Sequence, residues 1–321
     1  MKHKEAVNVI RLSDVEPKEI KWLWKYFIPF GKVTIIYGEP GKGKSILACD
    51  IAAKVSQGKS FTDDTEIESG NVIYQNAEDG LADTIKPRLL RAGADCDRII
   101  TIDETLHSLS MTDDLLEEKI AENEAKLVIL DPIQAYLGEA NINNASAVEA
   151  NMKKLSQLAE KYGCAIVLIG HLNKSRSNSS YARGLGSLCF RSAARSVLLV
   201  GNDPNDEFVR VVMQVKTNLN TPPKPQAFCI EDGAIRWLGD MDITEKEILS
   251  GKRNECSKMS AAMELISETL KENKEMESKD MFLLGKAQGI SERTMKSAKK
   301  ELGLSSKKVQ NRWVWFINPE K

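Results

Sequence analysis

Gly38-Glu39-Pro40-Gly41-Lys42-Gly43-Lys44-Ser45 decides how the rest of the chain is read. It fits a glycine, four residues, then Gly-Lys-Ser, and its flanks give that pattern meaning. Before it, Val33-Thr34-Ile35-Ile36-Tyr37 is a short, β-branched and apolar run with the character of a strand; after it, Ile46-Leu47-Ala48-Cys49-Asp50-Ile51-Ala52-Ala53 has helical spacing. Strand, loop and helix together make a phosphate cradle: glycines let backbone N–H groups turn inward, and the helix N-terminus adds its dipole. The expected nucleotide-binding set is Gly38, Glu39, Pro40, Gly41, Lys42, Gly43, Lys44, Ser45 and Ile46. Lys44 is expected on the β- and γ-phosphates of ATP and Ser45 on Mg²⁺.

Outward from this loop, more strand ends carry polar chemistry. Gly70-Asn71-Val72-Ile73-Tyr74-Gln75-Asn76-Ala77-Glu78-Asp79-Gly80 reads as a strand closing on two carboxylates, and Ala125 to Leu130 as a strand closing on Asp131. Asp131 is placed to hold the magnesium with Ser45. A helix is expected from Leu81 to Gly93, a short strand over Arg98 to Ile102, and a helix over 146–162 with Val148, Met152, Leu155 and Leu158 on one face. Cys164 to Gly170 is again a buried strand, ending in His171, and Asn173 to Ser180 is too polar to enter a core. Strands 196–201, 207–217 and 226–231 read as a meander. Strands alternating with helices up to residue 170 predict an α/β fold with a twisted, mainly parallel sheet and helices on both faces. Trp22 and Trp24, just ahead of the first core strand, are read as packing residues.

At 321 residues the chain is longer than one core usually supports, which predicts a large domain over 1–240, a charged linker over 241–256 and a small domain over 257–321. An apolar content of 42% and a charged content of 28%, with no apolar run near the ~20 residues of a membrane span, exclude a membrane-embedded class. Met1-Lys2-His3-Lys4-Glu5 has no apolar signal core, so a cytoplasmic protein is expected. The six cysteines form no Cys-x-x-Cys pair, which argues against a zinc site or a disulfide framework. A net charge of −1 does not by itself call for nucleic acid.

The motif order resembles the RecA-like ATPases, and within them the RepA-type hexameric helicases and their relatives in phage and mobile elements. The residues that carry the resemblance run from Trp22-Leu23-Trp24 through Gly38–Ser45, Ala77-Glu78-Asp79-Gly80, Lys86-Pro87-Arg88-Leu89 and Ile129-Leu130-Asp131-Pro132. They continue in Gly170-His171-Leu172-Asn173-Lys174, Arg183-Gly184-Leu185-Gly186-Ser187 and Val215-Lys216-Thr217-Asn218. The resemblance implies that Glu78, rather than its neighbour Asp79, is the general base for the attacking water, and that His171 senses the γ-phosphate. It implies a homo-oligomer of hexameric type in which Arg183, Arg195 or Lys216 supplies charge across a subunit boundary. Replicative helicases tend to carry Lys-x-Arg near the last strands; this chain has Lys216-Thr217-Asn218, which leaves that assignment open. It also implies that loops 137–146 and 172–186 face a channel, with Lys174 and Arg176 on single-stranded DNA.

Beyond residue 256, three amphipathic helical stretches and two short strands resemble a winged helix. Arg293, Lys296, Lys299, Lys300, Lys307 and Lys308 give its last helix and wing a basic face suited to duplex DNA. Trp313 and Trp315 alternate, so one is expected to face inward. Two functions follow as expectations: an ATP-hydrolysing, DNA-linked motor or helicase in replication of phage, plasmid or mobile-element DNA, or a nucleotide-gated DNA-binding regulator or loading protein that separates no strands.

Overall fold

The computed structural model describes residues 10–62, 66–105, 108–138, 145–171, 188–252, 255–310 and 312–316. Among the described residues nine strands form one sheet. In chain order its members are β3 (Val33–Gly38), β4 (Asn71–Asn76), β5 (Ile99–Ile100), β6 (Ala125–Asp131), β7 (Ala165–His171), β8 (Ser196–Asp203), β9 (Asp206–Thr217), β10 (Gln226–Glu231) and β11 (Ala234–Asp240). Their spatial order is β11-β10-β9-β8-β3-β7-β6-β4-β5. The contacts from β8 across to β5 are parallel, and β8, β9, β10 and β11 are joined antiparallel. A two-stranded ribbon, β1 (Trp22–Trp24) with β2 (Ile28–Pro29), leads in.

The parallel strands are apolar on both faces, and their two-residue period divides them between two cores. Val33, Ile35 and Tyr37 of β3, with Val128 and Leu130 of β6 and Ile166 and Leu168 of β7, face helices α3 (Asp114–Glu122), α4 (Ala145–Tyr162) and α5 (Leu188–Ala193). Ile36, Leu127, Ile129, Val167 and Ile169 face α1 (Lys44–Gln57) and α2 (Lys86–Arg91) on the other side. Trp24 joins this second core, stacked on Phe27 and Phe61, as a packing residue.

Within residues 81–256 the structure departs from the sequence reading at four places. The helix expected over 81–93 starts as a wider π-helical turn, Leu81–Ile85, before α2. The expected strand over 98–102 pairs only at Ile99–Ile100, at the sheet edge. The meander has a fourth strand, β11, whose Trp237 packs against Trp24 and Phe228. The linker expected over 241–256 contains a helix, α6 (Glu245–Ser250), held by a Thr244/Glu247 capping box, with Ile248 packed against Gly201 of β8. Its charged sequence conceals two apolar residues, Ile248 and Leu249, that join the main core.

Residues 255–316 have a hydrophobic cluster of their own, built from Ala262, Ile266, Leu270, Met281, Ile290, Met295, Ala298 and Trp315. It lies among α7 (Glu255–Asn273), α8 (Ser278–Ala287) and α9 (Glu292–Glu301) and a small antiparallel sheet. The sheet contains β12 (Glu275–Glu277), β13 (Ser305–Val309) and β14 (Arg312–Phe316), in the order β12-β14-β13. Trp315 is buried and Trp313 is exposed, but alternation is not the reason, since residues two apart on a strand share a face; Trp315 lies where Phe282 and Lys299 cover it. Among the described residues no helix is long and apolar enough to cross a membrane.

Candidate functional site

The site lies along the carboxyl ends of β3, β7, β6 and β4, and backbone register puts it there. Gly38 pairs with His171 across β3 and β7, Leu130 with Leu168 across β6 and β7, and Asn76 with Asp131 across β4 and β6. Gly38 ends β3 where only a glycine fits, because a Cβ there would stand 2.2 Å from the Val200 carbonyl oxygen of β8. The loop then turns through Gly41 and Gly43, both at positive φ, into α1.

Lys44 is buried and donates to the carbonyls of Gly38 (3.0 Å) and Glu39 (2.9 Å). Burial lowers its pKa to about 8, against the pull of Asp131, Glu78 and Glu39. Asp131 is buried and its carboxyl is raised to about 6, first by desolvation; a hydrogen bond from Ser45 opposes the rise, while Glu78 adds to it. Asn76 donates to Asp131 (3.4 Å) and accepts from the backbone N–H groups of Glu78 (3.0 Å) and Asp79 (2.6 Å), so its amide shapes the turn that presents Glu78. Glu78 reaches within 3.8 Å of His171 Nε2. The imidazole's pKa is lowered by burial and by Lys44, and its buried Nδ1 has no hydrogen-bond partner among the described residues. Asp79 turns away to pair with Arg88 at 2.5 Å. Lys44, Ser45, Glu78, Asp131 and His171 thus come together at one edge, while Asp79 is held by α2.

The remaining candidates divide. Lys216 sits at the other end of the sheet, opposite Val197, where its ammonium donates to the carbonyls of Arg191 (2.6 Å), Ser192 (2.8 Å) and Ala194 (3.0 Å). Three carbonyls match the three donors of an ammonium, so Lys216 caps the C-terminal end of α5 and has no donor left for a neighbouring subunit. Burial, with Arg195 and Arg191 nearby, lowers its pKa. Arg195 is exposed at the start of β8. Arg183, Lys174 and Arg176 lie outside the described residues, as does most of the two expected channel loops.

In the C-terminal unit the basic face is more compensated than its sequence implies. Lys307 pairs with Glu275 and Arg312 with Glu277, two acids on β12, the strand that sequence reading missed. Lys296 pairs with Glu292 at 3.7 Å, and Lys299 bonds Ser306 and lies over the Trp315 ring. Arg293, Lys300 and Lys308 are exposed and make no ion pair with a described residue.

Two groups near the P-loop carry no motif. Asp50 of α1 is buried and accepts from the Trp237 indole (3.2 Å). Arg210 of β9 packs on Gly43: a Cβ there would lie 3.3 Å from Arg210 Cδ and 3.0 Å from Ile230 Cδ1. An arginine inside the apolar run Phe208-Val209-Arg210-Val211-Val212 was the available signal for the second.

A family description of the AAA domain matches residues 2–177. The DNA repair protein RadA of Bacillus subtilis (strain 168) is 26% identical over 240 residues, covering 73% of this chain and 46% of that protein. RadA of Halalkalibacterium halodurans is 26% identical over 166 residues, 50% of this chain and 32% of that protein. The chain therefore spans less than half the length of these curated relatives. The solved ATPase domain of G40P superimposes with a TM-score of 0.50 at 13% identity, over 66% of this chain and 85% of that one, a likeness of fold. With its glycine loop, parallel sheet and matched residues, the chain belongs to the AAA domain family and has a RecA-like P-loop ATPase core.

Proposed function

We propose that the chain binds ATP with Mg²⁺ and hydrolyses it as a DNA-linked motor of RepA-type helicase character. The observation that carries this reading is the convergence of Lys44, Ser45, Asp131, Glu78 and His171 on the P-loop edge. Lys44, now bonded to two loop carbonyls, turns to the β- and γ-phosphates. The Ser45 hydroxyl and Asp131 carboxylate are an oxygen pair of the kind magnesium takes, beside the further negative charge of Glu78 and Asp79. When bound, the ion neutralises charge developing on the phosphates. Glu78, exposed at its turn, accepts a proton from the attacking water, and His171 beside it reports whether a γ-phosphate is present.

The RadA relatives, described as DNA repair proteins, support DNA as the partner. The helix–strand–helix–helix–hairpin order of residues 255–316 supports a winged-helix reading, with duplex contact through Arg293, Lys300 and Lys308. Assembly into a ring, a trans-acting arginine and service to phage, plasmid or mobile-element replication belong to the same reading.

The test is ATP turnover with and without single-stranded DNA in wild type, Lys44→Ala and Glu78→Gln. Lys44→Ala is expected to lose nucleotide binding; Glu78→Gln is expected to bind with turnover reduced at least about a hundredfold. Equal activity in all three would remove the mechanism. Strand displacement separates a motor from a nucleotide-gated loading protein.

A further inference from the structure

The reactive groups all lie on one flank of the P-loop. Asp131, Glu78 and His171 belong to β6, the turn after β4, and β7, so the γ-phosphate end of a nucleotide on Lys44 points toward them. Its nucleoside end must leave across the opposite flank, toward β8, β9 and β10. There the side chains against Gly43 are Arg210 and Ile230.

Arg210 is unusual for its position. It pairs with Asn202 of β8 and Phe228 of β10 in the antiparallel part of the sheet, at the same edge as the P-loop. Among the described residues its buried Nε has no hydrogen-bond partner and it makes no ion pair; there its side chain donates from one terminal nitrogen to the Phe208 carbonyl at 3.2 Å. A guanidinium is always charged, and here it stands near the N-terminal end of α1, where the helix dipole is also positive. Two positive features with an unused N–H between them suit an anion.

We propose that Arg210 is a nucleotide-binding residue of its own subunit, gripping the α-phosphate and ribose as the nucleotide leaves the P-loop. This rests on the P-loop being a nucleotide site and adds the cation that holds the nucleotide's other end. Because Arg210 lies away from the γ-phosphate, it serves di- and triphosphate alike and leaves the chemical step alone.

The experiment measures binding of ADP and ATP with Mg²⁺ to the full chain, and kcat at saturating ATP, in wild type, Arg210→Gln and Arg210→Lys. Glutamine keeps much of the stem over Gly43 and removes the charge; lysine keeps both stem and charge. The expected result is about a tenfold loss of affinity for both nucleotides in Arg210→Gln, the scale of one charge-assisted phosphate contact. Affinity should stay within about threefold in Arg210→Lys, with kcat within about twofold in both, the pattern of lost uniform binding. Wild-type affinity in Arg210→Gln would make the residue packing only. Retained ADP affinity with reduced turnover would move it to the γ-phosphate, and a lysine variant as weak as glutamine would put the contact on the guanidinium's fixed donors and overturn a grip by charge. Wild-type protein that binds neither nucleotide would remove the P-loop reading itself, a different failure.

Discussion

Replacing Asp50 with asparagine should change how stability depends on pH. Asp50 is 7% exposed on α1 and its carboxyl is raised from 3.8 to about 6, first by burial, with Lys54 and the Trp237 indole pulling the other way. A folded state that holds a proton more tightly than the unfolded chain loses stability as pH rises from 3.8 to about 6, and above that the loss is constant. At about 1.4 kcal/mol per pKa unit, the full effect is about 3 kcal/mol, of which about 2 kcal/mol titrates between roughly pH 4.5 and 7.5. Asparagine cannot ionise, and its carbonyl oxygen can still accept from the indole. Its extra amide donor adds a cost that does not vary with pH. The difference in unfolding free energy between Asp50→Asn and wild type should therefore move by about 2 kcal/mol in favour of asparagine across that range. Urea denaturation followed by tryptophan fluorescence at several pH values, with equal slopes in both proteins, measures it. Parallel stability curves would refute the reasoning, because a pH-independent difference means that Asp50 does not titrate differently in the fold.

Lys216→Met should destabilise the core by about 2 kcal/mol, since three carbonyls at the end of α5 lose a charged donor, and lower the melting temperature by several degrees; a trans-acting lysine would instead lose turnover with melting unchanged. Gly38→Ala should cost at least about 2 kcal/mol, because the added Cβ meets the Val200 carbonyl and the β3–β8 ladder must give way; a wild-type melting curve would contradict that close approach. His171→Asn should keep ATP affinity within about threefold while single-turnover hydrolysis falls at least about tenfold, and the opposite split would make His171 a binding residue.

The sheet and its reacting edge were largely legible because the signals are local. Strand, glycine loop and helix follow one another without interruption from Val33 to Ala53, and Asp131 and His171 each close an apolar run. What escaped depends on contacts between residues far apart in the chain. Lys216 belonged to a motif position, yet its ammonium is held by α5 carbonyls that no spacing rule connects to it. Lys307 looked uncompensated because its partner, Glu275, lies on a three-residue strand too short for any periodicity to register. Arg210 and Gly43 meet only once β9 and β10 have paired beside the P-loop.

Gly38, His171 and Asp131 owe their alignment to parallel ladders, not to the segments that connect the strands. A slip of one residue along β7 would turn the imidazole to the opposite face and silence it, although every side chain named here would still be present. Transplanting this chemistry to another scaffold would thus require copying the interior pairing of four strands, and a graft of the visible residues alone would carry ligands without their aim.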